Sequence, residues 1–345
     1  MQHSRELEEH LRDGRAFSPS TIRAYLTTLE DFDFELRRMC AQDGRLYHSH
    51  PREVLPTDFD RYLTRKAIQG HAATTRRTRL HGLKTAFKFF ASRGYIPSDP
   101  SLDVQGPKIR ETRVPIFSQE EITRMIFGYT PPPLVQGEHE NDILFARRKR
   151  TAGVRPIRDS ALIGLGYTLG LRVAEFQSLQ IENILEGSKR MFLELLHGKG
   201  GTIEKQEVDA PIAELLREYL GARARAGFRS PALFCPLAVS GSGSRKSDLP
   251  IGLDQRQVRR ILTERCAAIG ILATPSRKIH PHMLRYSLGT HLFENNVRIE
   301  IIQNRLRHRD IKTTRRYIRI ANSIALMRST NRALPWNRPK GSEED

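Results

Sequence analysis

The chain has 345 residues, a formal net charge of +18 at pH 7 and a pI of about 10.2. Its length allows two domains with separate cores, and its 38% hydrophobic content excludes a globally disordered chain. No apolar run reaches the roughly 18 residues of a membrane-spanning helix, and the charged N-terminal stretch lacks the apolar segment of a secretory signal. The positive charge favours a polyanionic partner, and nucleic acid is the first candidate.

The first hundred residues predict a small, basic bundle of helices. Ser18 and Pro19 are typical of a helix start, because serine caps the first turn and proline fits its first position. Apolar residues follow at helical spacing, namely Ile22, Tyr25, Leu29, Phe32 and Leu36. A second set with this spacing consists of Leu80, Leu83, Phe87 and Phe90.

The second predicted helix carries basic side chains away from its apolar face. A charged helix face is often only solvated, but the excess of positive charge favours contact with DNA. The predicted DNA-binding residues of this helix are Arg76, Arg77, Arg79, Lys84 and Lys88.

An interdomain linker is predicted at residues 109–115, where the sequence has no apolar periodicity and contains proline and several charges. It separates a domain of residues 1–108 from a domain of residues 116–345. The segment Ser118–Glu121 fits a capping box that opens the first helix of the second domain. Residues 130–156 are rich in proline and basic residues and predict an insertion or surface loop.

The second domain is predicted to be mostly helical with a small antiparallel sheet. The chain becomes helical from Arg158, and the alternation of Met191, Leu193 and Leu195 predicts a strand that ends in a glycine-rich hairpin turn. Further helices are predicted at residues 212–220, 255–269, 284–295 and 299–306. The predicted fold class is therefore mainly α with a small antiparallel β-sheet (α+β).

Several polar residues of the second half form an ordered set. Arg172 precedes Glu175 by three residues, a spacing that also suits an ordinary surface ion pair. His282 and Arg285 share one face of a helix, since three residues separate them. The set is completed by Lys199 at the predicted hairpin tip, His308 and Tyr317.

This ordered set resembles the tyrosine recombinase (phage integrase) family, in particular its Xer-like members. The resemblance covers roughly residues 18 to 325, and its N-terminal part is similar to the helical, SAM-like core-binding domain of the family. Only some 17 residues precede the first predicted helix, so the chain resembles the simple type without an arm-binding domain. The matching segments of the second half are "TLGLRVAEFQSL", "HGKGG", "HPHMLRYSLGTHLF" and "LRHRDIKTTRRY".

The resemblance implies a site-specific DNA recombinase of the integrase or transposase type. Tyr317 would attack the scissile phosphate to form a 3′-phosphotyrosine link, and strand exchange would pass through a Holliday junction. Arg172 and Arg285 would stabilise charge on the phosphate, because a guanidinium is a permanent cation with a fork of donors. The further roles are general acid for Lys199, phosphate contact and proton transfer for His282, phosphate contact for His308, and orientation of Arg172 for Glu175. No metal or other cofactor is implied.

The implied partners are double-stranded DNA with specific recombination sites and three further copies of the chain in a homo-tetramer. Arg315 and Arg316 are additional candidates for DNA contact, and accessory DNA-bending or element-encoded proteins are further candidate partners. The apolar residues after Tyr317 fit packing on a neighbouring protomer or on their own domain. Three cysteines without CxxC spacing predict neither a disulfide framework nor a cysteine zinc site, which suits a reducing cytosol. The expected location is the cytoplasm, in association with the nucleoid.

Some alternatives stay open at this point. Tyr286 is a rival nucleophile, His280 a rival for His282, and Lys205 a rival for Lys199. Neighbouring arginines argue against deep burial of Tyr317. Arg307 stands where the family usually has glycine, so it either alters the local backbone or contacts DNA. Two other functions suit parts of the set, a type IB topoisomerase and a non-catalytic DNA-binding protein on a recombinase scaffold.

Overall fold

The computed structural model describes residues 1–14, 17–109, 114–138, 140–197, 202–237, 252–275, 277–315, 317 and 320. The chain divides into two compact units, Met1–Thr112 and Arg113–Asp345. This division falls within the segment for which the sequence predicts a linker. In the described ranges, none of the helices is long and apolar enough to cross a membrane.

The first unit is a bundle of helices around an aromatic core. The Ser18 hydroxyl accepts a hydrogen bond from the Thr21 N–H, which caps the second helix as predicted. The rings of Phe32 and Phe87 both pack against Phe59, with centroids 5.0 and 5.1 Å away. The helices of this unit are α1 (Ser4–Glu9), α2 (Pro19–Gln42), α3 (Pro56–Ile68) and α4 (Ala73–Ser92), and His10–Gly14 forms a π-helical turn.

The second unit is mainly helical and contains one small sheet, which confirms the predicted fold class. Its first helices are α5 (Gln119–Phe127), α6 (Asp142–Ala152), α7 (Arg155–Thr168) and α8 (Val173–Ser178). The later helices are α9 (Ala210–Arg225), α10 (Gln255–Ala268), α11 (His282–Glu294) and α12 (Ile299–Arg305). Residues 311–315, 317 and 320 are also helical and are called the C-terminal helical segment.

The sheet is antiparallel with the strand order β1 (Ile184–Glu186), β2 (Met191–His197) and β3 (Thr202–Val208). Its alternation follows the predicted pattern, since Met191, Leu193 and Leu195 are all buried in the core. Leu193 pairs with Gln206, whose side chain is buried as well. The sheet therefore presents a polar side chain of β3 to the interior of the unit.

Two local predictions were wrong. Residues 130–156 are not only a loop, because Asn141 caps helix α6 through a hydrogen bond from the Leu144 N–H. The helix predicted from Arg158 onward is interrupted, because α7 ends at Thr168 and α8 begins at Val173. Gly170 lies between them in the left-handed region, with φ of 56°.

Gly170→Ala is expected to destabilise the second unit more than Gly270→Ala. Both glycines have positive φ, which costs a residue with a Cβ about 1–2 kcal/mol. A Cβ at Gly170 would also lie 2.6 Å from Leu306 Cδ2, whereas a Cβ at Gly270 meets no atom within 4 Å. The clash should add about 1–3 kcal/mol to the loss in free energy of unfolding, measured by urea titration. Equal losses for the two variants would contradict the tight packing at Gly170.

Candidate active site

The break between α7 and α8 places Arg172 at the start of α8. The Arg172 N–H donates to Glu175 Oε2 over 2.8 Å, and its Nη1 donates to Glu175 Oε1 over 2.9 Å. The predicted spacing of three residues therefore makes a capping contact and an ion pair at once. Glu175 is buried, and its carboxylate fixes both the backbone N–H and the guanidinium of Arg172.

Arg285 is buried on helix α11, one turn after His282. Its guanidinium donates to the carbonyl of Gly170 over 2.5 Å and to the carbonyl of Leu306. Burial lowers the pKa of Arg285 to about 10, and the charge of Arg172 contributes to this decrease. Arg285 nevertheless remains a cation at neutral pH. An ionised Tyr317 would raise the pKa of Arg285, so the two side chains are close enough to interact electrostatically.

His282 is the first residue of α11, where partial desolvation lowers the pKa of its imidazole. The charges of Arg285 and Arg172 lower this pKa further, and the carboxylate of Glu175 opposes them. His282 is therefore a neutral imidazole at pH 7, and such a ring both donates and accepts a proton.

Tyr317 is buried, with 2% of its surface exposed, which contradicts the prediction that it avoids deep burial. Its ring stacks on His308, with centroids 5.7 Å apart and an interplanar angle of 2°. Gly289 on α11 makes room for the ring, because a Cβ there would approach its atoms to 2.8 Å. The space for the Tyr317 ring is provided by a helix that is distant in sequence, so the neighbours of Tyr317 in the sequence do not predict its burial.

The C-terminal helical segment also fixes the histidine. His308 Nδ1 and Thr314 Oγ1 are 2.9 Å apart, and Gln303 Nε2 donates to the His308 carbonyl over 2.9 Å. The rival residue Tyr286 lies on α11, with its ring centroid 6.0 Å from that of Tyr317. Both tyrosines thus border the same site.

Four of the predicted site residues interact with one another in the second unit, namely Arg172, Glu175, His282 and Arg285, and Tyr317 interacts with Arg285. His308 joins them through its stacking on Tyr317. Lys199 and Arg316 lie outside the described residues. The rival Lys205 lies on the sheet face opposite Gln206, with its Nζ 4.4 Å from the centroid of the Phe192 ring.

Arg307 joins this site, contrary to the idea that it contacts DNA. Its side chain is fully buried and pairs with Glu175 over 2.9 Å. Its φ of 53° lies in the left-handed region that glycine would occupy without strain. The departure from the glycine of the family motif was the only sequence signal for this residue.

The DNA-binding candidates of α4 differ in their surroundings. Arg77 and Lys88 are exposed, whereas Arg76 is partly buried. Lys84 Nζ donates to the Leu102 carbonyl over 2.9 Å. Arg315 on the C-terminal helical segment is exposed.

Arg79 is held inside the first unit. Its guanidinium bonds to the carboxylate of Asp31, and it donates to the Tyr62 hydroxyl over 2.8 Å. These contacts give Arg79 a structural role within the bundle. Among the described residues, no group of three or more His, Cys, Asp or Glu side chains is placed to hold a metal ion.

A model of the phage integrase family matches residues 134–323. The tyrosine recombinase XerC of Thermodesulfovibrio yellowstonii is 26% identical over 313 residues, which cover 90% of this chain and 89% of the relative. The structure of the XerH site-specific recombinase bound to difH substrate, a pre-cleavage complex, matches with a TM-score of 0.62 at 18% identity. That match covers 94% of this chain and 84% of the other.

A lambda integrase tetramer bound to a Holliday junction also has a similar fold. Its TM-score is 0.59 at 13% identity, and the match covers 91% of this chain and 76% of the other. At such identities the two solved structures show a shared fold, and the family model carries the relationship.

Arg172→Met is expected to raise the pKa of His282, because it removes a cation that disfavours the imidazolium. His280 is the matched control, since burial, His282 and Arg259 lower its pKa instead. NMR titration of the two imidazoles measures both values. An equal shift at His280 and His282, or no shift at His282, would contradict the proximity of Arg172 and His282.

Proposed function

The chain belongs to the phage integrase family and is a site-specific DNA recombinase, and we propose that Tyr317 is the nucleophile that cleaves the DNA strand. Its oxygen attacks the scissile phosphorus, the 5′ oxygen leaves, and a 3′-phosphotyrosine link conserves the bond energy for rejoining. Strand exchange then passes through a Holliday junction. The observation that supports this assignment best is the packing of the Tyr317 ring on His308 and on Gly289 of α11, the helix that carries His282 and Arg285.

Arg172 and Arg285 stabilise the negative charge that develops on the nonbridging oxygens of the phosphate. Backbone carbonyls and Glu175 orient the two guanidiniums before DNA binds, so little reorganisation is needed during the reaction. Burial of Arg285 lowers the local dielectric constant and strengthens its interaction with the phosphate. In this mechanism the two cations act where other phosphoryl-transfer enzymes use metal ions.

His282 and His308 take part around the phosphate and the tyrosine. His282 is neutral at pH 7 and accepts the Tyr317 proton or donates to the phosphate. His308 stacks on the nucleophile and donates to the phosphate from its other ring nitrogen, since Nδ1 faces Thr314. Lys199, which falls between β2 and β3 in the sequence, protonates the leaving 5′ oxygen.

The chain acts on double-stranded DNA with specific recombination sites, and we propose a homo-tetramer on two synapsed sites. The net charge of +18 supports strong phosphate contacts, whose affinity falls steeply with salt. Exposed Arg77, Lys88 and Arg315 are the best-placed of the predicted DNA contacts. The lambda integrase tetramer on a Holliday junction supports the proposed assembly. The proposed site of action is the cytoplasm, in association with the nucleoid.

Tyr317→Phe is expected to abolish covalent trapping on a nicked suicide substrate, because phenylalanine has no nucleophilic oxygen. Tyr286→Phe is the matched control, since it removes the hydroxyl of the neighbouring aromatic residue and should retain the adduct. The DNA recombination sites for this assay are taken from the DNA that flanks the gene, or are selected from a random pool of sequences by covalent capture. A Tyr317→Phe adduct, or loss of trapping only in Tyr286→Phe, would overturn the assignment of the nucleophile.

Lys199→Ala is expected to slow cleavage of ordinary DNA at least 100-fold, because the 5′ oxygen then leaves without a proton. A bridging 5′ sulfur leaves without protonation, so a 5′-phosphorothiolate substrate should restore the rate. Lys205→Ala should cleave both substrates like the unmodified protein. If Lys205→Ala alone shows the sulfur rescue, Lys205 is the general acid.

A further inference from the structure

Arg307 connects the segment between α12 and the C-terminal helical segment to the candidate active site. It lies between Leu306 and His308 and has a left-handed backbone, with φ of 53°. This conformation is strained for arginine and unstrained for glycine. Strained residues persist where surrounding contacts hold them, and the arginine side chain provides such contacts here.

The buried guanidinium of Arg307 donates to acceptors on four different parts of the second unit. Nη2 donates to Glu175 Oε2, on helix α8, over 2.9 Å. Nη1 donates to the buried side chain of Gln206 on β3 over 3.0 Å. The remaining acceptors are the carbonyls of Leu169 (2.9 Å), Arg305 (3.2 Å) and Gly170 (3.4 Å).

The main chain at the same position holds both candidate catalytic arginines. The Arg307 carbonyl accepts a hydrogen bond from Arg172 Nη2 over 3.0 Å, and the preceding Leu306 carbonyl accepts from Arg285 Nη2. Arg172 is thus tied to Arg307 directly through this carbonyl and indirectly through Glu175. Two consecutive carbonyls, of Leu306 and Arg307, therefore contact the two guanidiniums.

We propose that Arg307 is a positioning residue for DNA cleavage, whose buried guanidinium pairs with Glu175 and thereby fixes the orientation of Arg172. The proposal rests on the function proposed above, because it assigns Arg172 to the scissile phosphate. The Arg307 side chain is fully buried, so it presents no surface for DNA to contact.

The charges around Glu175 show why a second cation is needed. Burial raises the pKa of Glu175, whereas Arg307 and then Arg172 lower it below its usual value. Arg285 and His282 on α11 are the other titratable groups that interact with this carboxylate. Loss of Arg307 should raise the pKa of Glu175, so that Glu175 becomes protonated at a higher pH. A protonated Glu175 no longer forms an ion pair with Arg172.

Three substitutions of Arg307 separate charge, geometry and backbone strain. Arg307→Met removes the charge and keeps much of the volume. Arg307→Lys keeps a cation for Glu175 but cannot span five acceptors. Arg307→Gly relieves the backbone and loses all side-chain contacts. Arg305→Met is the matched control, because Arg305 anchors the same turn to the carbonyls of Thr168 and Glu207.

The readout is the single-turnover rate of covalent adduct formation across pH, with DNA affinity and thermal unfolding measured in parallel. Arg307→Met should lose at least 10-fold in rate with little change in DNA affinity. The acid limb of its pH profile, which is the decline in rate at low pH, should move to higher pH. Arg307→Lys should recover part of the rate, and Arg307→Gly should stay slow despite its relaxed backbone. Arg305→Met should leave the acid limb in place.

A second comparison uses Glu175→Gln, which cannot ionise. In that background, Arg307→Met should no longer move the acid limb, because the group that it perturbs is gone. The proposal is overturned if Arg307→Met lowers the rate equally at every pH, or if Arg307→Gly cleaves like the unmodified protein. If the unmodified protein forms no adduct with any DNA, the proposed function fails first, independently of Arg307.

Discussion

Buried guanidinium groups need acceptors, and the carbonyls of Gly170, Leu306 and Arg307 supply them around the candidate active site. The Gly170 carbonyl accepts hydrogen bonds from both Arg285 and Arg307. Burying a cation is costly unless such partners compensate for lost water. The left-handed turns at Gly170 and Arg307 direct these carbonyls inward, so the backbone conformation at two separate positions sustains the cationic site.

Much of the site follows from spacing along the sequence. The interval in H-x-x-R places His282 and Arg285 on one face of α11, because helical geometry brings residues three apart together. The interval in R-x-x-E fits a cap, in which Glu175 accepts from the N–H of the residue before α8. The alternation of Met191, Leu193 and Leu195 likewise predicts the central strand. Such local rules need no knowledge of distant contacts.

Other features depend on contacts between segments that are far apart in sequence. The need for glycine in the break after Thr168 depends on Leu306, which occupies the space that a Cβ at residue 170 would need. The burial of Tyr317 depends on Gly289, and the position of the Arg307 side chain depends on Glu175 and Gln206. In the first unit, Arg79 looks like a surface cation in the sequence but pairs with Asp31. Tertiary partners decide each of these cases.

The left-handed arginine has a consequence at the level of the gene. Every arginine codon becomes a glycine codon when its first base changes to guanine. A single base change can therefore exchange an unstrained glycine at position 307 for an arginine whose side chain forms buried hydrogen bonds. No intermediate residue is required that would have the strained backbone without the buried contacts. In this chain the step to glycine should still slow DNA cleavage, because Glu175 then loses the buried cation that pairs with it.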